Sequence, residues 1–432
     1  MIPAIITPLI LRHLTDAAFY WLQLDQSETA FRLPFDRVAL FNERIEAHLQ
    51  GLAIAGPEGL ALAFAELERW RKPGEAFVCV WLAGLRTDET ALSRLTEHLA
   101  QQPDALLRGA ISAIARLPEE PAQALIHRWT QNASIPPLQV AALRALALRG
   151  MTSACAPAQP LTAFLHSTDP CVRAAACRVL ARTGDEAALP LLHDALNDEE
   201  RTVRAEAALA LSGTAHFGKA SSVLWHCVNA QAEIHRNASG WYRMQAQRRL
   251  SRYLRYLAWL TPLGYQNLPV VFDRLPPRAS LTFALYHGDL AYLPRVVEAM
   301  KYPETERYAG WVWQTLTGID LETNALTREE AASEADLDAF SETAFDVDSG
   351  LPLPDVEAVE ACAIQVQPGI RTLLGRALTM TSALDHLTSE PQAIRAIAAH
   401  YLRQSQAAAV LNIRADASTQ QRQIDALRAQ TQ

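Results

Sequence analysis

The sequence predicts an all-α fold, an α-solenoid of stacked helix pairs. Three observations carry that expectation: a helix-length motif returns every 31 to 33 residues, prolines and glycines punctuate the chain at helix-length intervals, and alanine and leucine are abundant while β-branched runs are few. The period matters most. One helix pair cannot bury its own apolar face and gains a core only by stacking on the next pair.

One unit is legible in DPCVRAAACRVLARTGD, residues 169–185. Asp169 is placed to N-cap a helix whose first turn holds Pro170, a residue with no N–H to lose, and Gly184 suits a left-handed C-cap. Thirty-one residues on, RTVRAEAALALSG sets Val203, Arg204 and Ala205 on Val172, Arg173 and Ala174. Upstream, LQVAALRALALRG keeps the frame with Ala141 in the arginine slot, while LLRGAISAIARL and AIRAIAAHYL put Arg108 and Arg395 there. Alanine at 174, 175 and 176 lets a neighbouring helix approach. The arginine is expected to be a structural tie, with Arg173 reaching an acidic turn of the next unit such as Asp198. Asp169, Arg173, Asp198, Arg204, Arg108 and Arg395 are therefore read as repeat positions.

At 432 residues the chain exceeds one ordinary core, which suits an array whose units touch only their neighbours. Half the residues are hydrophobic and 20% are charged, so the chain is not disordered overall. The net charge of −8 argues against a general binder of DNA or anionic membranes. Six cysteines at 79, 155, 171, 177, 227 and 362 form no CxxC pair and are expected to be buried thiols of a reducing compartment. The opening MIPAIITPLILRHL has an apolar run but no basic region before it and no small-residue cleavage site, which argues against a secretory signal. No apolar stretch reaches the ~18 residues of a membrane span. A cytoplasmic location is expected.

Residues 1–40 are expected to cap the array, with an amphipathic helix through DAAFYWLQL and an irregular LPFDRVALF. Residues 41–318 should form the solenoid, and residues 353–432 further helical repeats, with a tail beyond Asp416 that frays. Between them, residues 319–352 carry ten acidic side chains and one arginine and read as an acidic loop or insertion.

Some stretches imitate chemistry. Gly213, Gly218 and Lys219 have the spacing of a phosphate-binding loop, but Ala220 replaces the magnesium-binding hydroxyl and an alanine-rich helix precedes it instead of a strand. His216, His226, Cys227 and His235 cluster without the spacing of a zinc ribbon or finger. DVDSG at 346–350 starts like a calcium loop that nothing completes. No Gly-x-Ser-x-Gly elbow or His-Glu-x-x-His pair occurs. The expectation is a non-enzymatic protein with no metal or cofactor.

The strongest functional feature is HRNASGWYRMQAQRRLSRYLRYLAWL, residues 235–260. No acid occurs between Glu233 and Asp273. Arg248, Arg252 and Arg255 share a helix face by the i, i+4, i+7 rule, opposite Leu250, Leu254 and Leu257. Arg243, Arg248, Arg249, Arg252, Tyr253, Arg255 and Tyr256 are expected to bind a partner. Such a surface suits phosphate, an acidic protein partner or the chain's own acidic insertion at 319–352; a protein or intramolecular partner fits better than nucleic acid, although arginine beside aromatics also suits nucleic acid.

The VRAAA…LARTGD units resemble HEAT or HEAT-like repeats. NERIEAHLQGLAIAGPEG, AGWVWQTLTGIDL and LPLPDVEAVEA…PGIRTLLGRALT together resemble an uncharacterised bacterial family of HEAT-like proteins whose genes tend to lie beside type VI secretion clusters. That resemblance implies an accessory of the secretion machinery, an adaptor or chaperone that loads a secreted effector, or an immunity protein that blocks one. It supplies no catalytic residues. An alternative in another class is a HEAT-like nucleic-acid-binding protein or DNA glycosylase, in which tryptophans and an aspartate in a basic groove would handle a flipped base.

Overall fold

The structure, a computed structural model, describes residues 6–151, 155–183, 186–214, 217–265, 272–329, 348–364, 366, 368–405 and 411–431. The fold is an all-α solenoid of packed consecutive helices. By internal contacts the chain divides into two compact units, residues 1–223 with 383–432, and residues 224–382.

In the first unit the helices are α1 (Thr7–Gln26), α2 (Phe35–Ile54), α3 (Gly56–Trp70), α4 (Pro73–Arg86), α5 (Glu89–Gln101), α6 (Pro103–Arg116), α7 (Glu119–Gln131) and α8 (Pro136–Arg149). They continue with α9 (Leu161–Leu165), α10 (Pro170–Leu180), α11 (Leu189–Ala195) and α12 (Arg201–Leu211). Prolines sit in the first turns of α3, α4, α6, α8 and α10, where a missing N–H costs nothing. Asp88 accepts from Ala91 N–H to cap α5, and Asp169 accepts from Cys171 and Val172 N–H to cap α10. Alternate helices form one packed row, α4 on α6, α6 on α8, α8 on α10 and α10 on α12. The stretch expected to be irregular, FDRVALF, is the first two turns of α2, and α1 packs against α2 and α4 as part of the array. Gly184, the expected C-cap, lies outside the described residues.

Arginines tie the row together. Arg173 donates through Nε and Nη2 to the two carboxylate oxygens of Asp198, both at 2.8 Å. Its Nη1 donates to the carbonyls of Ser167 and Thr168, six and five residues back, and Arg204 donates to those of Asp198 and Glu199 at the same offsets. Burial alone would raise the Asp198 carboxyl, but the Arg173 hydrogen bonds and the Glu200 N–H outweigh it and hold it below the usual carboxylate range. Arg108 pairs with the buried Asp25 at the end of α1, to which Arg414 also comes within 3.5 Å.

The C-terminal segment completes this unit. α19 (Met380–Ser389) leads to α20 (Gln392–Ser405) and α21 (Ala417–Thr431). The N–H groups of Gln392 and Ala393 donate to the carbonyls of Leu33 and Ala30, while at the far end of α20 Gln404 accepts from Ser212 Oγ at 2.7 Å. α20 thus joins the start of the array to the end of α12, and it is buried around nearly its whole circumference. The tail beyond Asp416, expected to fray, is helix α21, with Gln420, Ile424 and Leu427 buried.

The cysteines correct one expectation. Cys79, Cys155, Cys177 and Cys227 are buried, but Cys171 is exposed in the first turn of α10 and Cys362 is half-exposed. Burial pushes the Cys79 thiol up and the Cys177 thiol up to about 12. Cys171 is expected to react with a thiol reagent in the native protein, and Cys79 and Cys177 only after denaturation, as timed labelling and mass mapping would read.

In the second unit the helices are α13 (Phe217–Asn237), whose first residues belong to the first unit, α14 (Gly240–Leu260), α15 (Pro277–His287), α16 (Leu293–Ala299), α17 (Glu306–Thr317) and α18 (Val356–Ala361). A small antiparallel hairpin follows, β1 (Thr372–Leu373) paired with β2 (Arg376–Ala377). This hairpin seals helix ends. Arg371 donates to the carbonyls of Ala258, Trp259 and Thr261 at the end of α14 and of His287 at the end of α15. Leu374 and Gly375 N–H donate to Thr315 and Leu316 at the end of α17. Gly318 and Gly375 adopt positive φ, and an added Cβ on either would strike the opposite backbone within 2.5 Å. The two later motifs of the family resemblance, at 309–321 and 351–379, therefore contribute to this packed end.

His287 lies fully buried beneath it, stacked on Phe283 and edge-on to Tyr292. Its Nε2 faces the Thr261 carbonyl at 3.2 Å and so carries the proton, while Nδ1 is buried with no hydrogen-bond partner among the described residues. Burial, then the Arg371 charge, pulls its pKa down to about 4. Because the unfolded chain takes up this proton near the ordinary value of about 6.5, stability is complete above that pH and is lost as pH falls towards 4, by about 3 kcal/mol in all. Denaturant melts between pH 7 and 4 are expected to show this slope, and His287→Gln to flatten it.

Candidate interaction surface

The arginine-rich stretch is helix α14, which starts after a two-residue turn from α13. Gly240 opens it at φ +52°, a conformation that suits glycine. Ala246, Leu250, Leu254, Leu257 and Ala258 are buried, and α14 packs on α15. The outer stripe runs Trp241, Met244, Arg248, Arg252, Arg255, at i+3, i+7, i+11 and i+14 from its first member.

Arg243, Arg248 and Arg249 are exposed, while Arg252, Arg255 and Tyr256 are half-buried. The Arg252 guanidinium lies 5.8 Å from the Tyr256 ring centre, and that of Arg255 lies 5.1 Å from the Tyr286 ring of α15. Tyr253 corrects the sequence reading. It is 2% exposed, because it stands one residue, about 100° of turn, from Arg252 and so falls on the buried side beside Leu250 and Leu257. Neighbouring His235, on α13, is held below its ordinary pKa by burial and then by the charge of Arg243.

The sequence reading missed the aromatic end of the stripe. Trp241, Tyr242 and Met244 are 41%, 71% and 57% exposed, and Ile234 of α13 is 38% exposed. Trp241 and Tyr242 meet edge to face with ring centres 5.2 Å apart. Extending the arginine spacing backwards from Arg248 by four and seven residues finds Met244 and Trp241 directly.

The stretches that imitate chemistry take the following places in the structure. Lys219 lies in α13 and donates to Asn197 at 3.0 Å, and the element before its turn is helix α12. His226 is exposed while adjacent Cys227 is buried, and His216 lies outside the described residues. Asp348 of DVDSG is buried and clamped by Arg278, which also lies over the Tyr308 ring, while Asp346 lies outside the described residues. Among the described residues no group of three or more His, Cys, Asp or Glu is placed to hold a metal ion, and no helix is long and apolar enough to cross a membrane. Most of the acid-rich insertion, residues 330–347, also lies outside the described residues.

A family model of HEAT repeats matches residues 124–212 and, in a second placement, 158–241, a span running from α7 to the start of α14. No curated protein and no solved structure matches the chain. The chain is an all-α solenoid that carries HEAT-like repeats across residues 124–241.

Proposed function

We propose that the protein is a non-enzymatic scaffold that holds another protein, acting in the cytoplasm as an adaptor or chaperone accessory to type VI secretion. The observation that carries the scaffold reading is the HEAT-repeat solenoid itself, since stacked repeats present extended, preformed surfaces for partners. The link to secretion rests on the family resemblance of the motifs at 42–59, 309–321 and 351–379. The glycosylase alternative finds no support on the basic face, which has no carboxylate between Glu233 and Asp273, and Asp273 is paired with Arg295 at 2.8 Å. Charged groups at such a surface speed encounter more than they add affinity.

The test is affinity capture from a cell that carries a type VI cluster, with partners identified by mass spectrometry. Arg243→Glu with Arg249→Glu is expected to reduce capture of an effector or secretion component several-fold while Tm holds, because both side chains are exposed. Absence of any such component from the captured set would overturn the secretion role.

A further inference from the structure

We propose that the outer face of α14 at its α13 end is a docking site for an acidic protein segment that carries at least one large apolar side chain, an inference that rests on the scaffold reading above. Scattered exposed apolar residues are ordinary. Here Ile234, Trp241, Tyr242 and Met244 are all exposed within one helical hairpin, and exposed Arg243, Arg248 and Arg249 border them. Tryptophan, tyrosine, methionine and arginine are the residue types that interface cores favour, because they bury much area per ordered side chain.

Charge decides the chemistry of the occupant. The stretch from residue 234 to 272 contains no carboxylate of its own, so its local charge is positive and favours a segment that brings acid. The aromatic pair and Met244 then need an apolar side chain to cover them. Nucleic acid and anionic lipid could answer the arginines, but the whole chain carries a net charge of −8, which opposes long-range approach to either polyanion. A short acidic segment presents few charges and feels the local field of the hairpin most.

The probe is a fluorescein-labelled, glutamate-rich helical peptide with leucines on one face, titrated against the full chain by fluorescence anisotropy. Saturable binding is expected, weakened roughly tenfold by Tyr242→Ala with Met244→Ala and by Arg243→Glu with Arg249→Glu, at unchanged Tm. The same peptide with lysine for glutamate should not bind. Vesicles of phosphatidylglycerol and a single-stranded oligonucleotide form the comparison arms. Peptide binding that is indifferent to both double variants, or hairpin-dependent binding of vesicles or oligonucleotide without peptide binding, overturns the proposal. If the hairpin variants lose nothing while cellular capture of a secretion component persists, the docking site is misplaced and the scaffold reading survives.

Discussion

Gly109→Ala is expected to destabilise the protein by about 3 kcal/mol or more, lowering Tm by roughly 6 °C or more. Gly109 sits in α6 where that helix crosses α4, and a Cβ there would lie 1.9 Å from the Pro73 carbonyl oxygen and 2.8 Å from Phe77 N. No rotamer change relieves a clash between backbones. The two helices must separate, and their closely packed interface loosens along its length. Gly218→Ala is the matched control. Among the described residues nothing lies within 4 Å of a Cβ at that helical position, so the substitution should leave stability unchanged or raise it by up to about 1 kcal/mol. Paired thermal melts check both signs, and equal losses in the two variants would refute the close-approach account.

Gly109 also shows how far the repeat frame could be taken from sequence. It follows Arg108 as Ala174 follows Arg173 and Ala205 follows Arg204, so a small residue one step past the arginine is a position of the repeat. That rule is local, as are the proline-marked helix starts and the Asp169 cap, and local rules are legible. Long-range closure is not. Nothing near Asp25 or Asn42 announces that Arg414 and Ala415, almost four hundred residues on, will meet them. The tail looked free because its glutamines read as solvated, whereas Gln420 is a buried hydrogen-bonding group of α21. The hairpin at 372–377 stayed hidden for a related reason, since its backbone bonds the ends of helices distant in sequence.

The candidate surface divided along the same line. Helical spacing placed Arg248, Arg252 and Arg255 on one stripe, opposite the buried leucines. Spacing alone separates the two aromatics: Tyr253, one step from Arg252, falls on the leucine side and is buried, whereas Trp241, seven residues before Arg248, falls on the arginine stripe and is exposed.

Arg395→Ala is expected to cost about 3–5 kcal/mol and to release the C-terminal helices. Arg395 occupies the repeat's arginine slot yet differs from Arg173 in every contact. It is fully buried, it lies 4.2 Å from the Phe35 ring centre, and its described acceptors are the neutral oxygens of Leu387, Gln392 and Gln420. Burial without a carboxylate among these pulls its pKa down to about 10, still well above neutrality, so the charge is retained. The guanidinium fixes the orientation of two amides at once. With their oxygens held by Arg395, the nitrogens of Gln392 and Gln420 are turned to the carbonyls of Ile413 and Ala415. Truncation strands three buried acceptors, opens a cavity against Phe35 and frees both glutamines to rotate, which together loosen α20 from α21. Arg395→Met restores much of the volume but none of the hydrogen bonds, so its loss should fall between wild type and alanine. Limited trypsin digestion reads the consequence directly: in Arg395→Ala, cleavage after Arg403 and Arg414 should precede cleavage within α4 to α12, whereas in the wild type these sites should be protected. An alanine variant as resistant as wild type would show that the closure of this unit does not depend on the buried arginine.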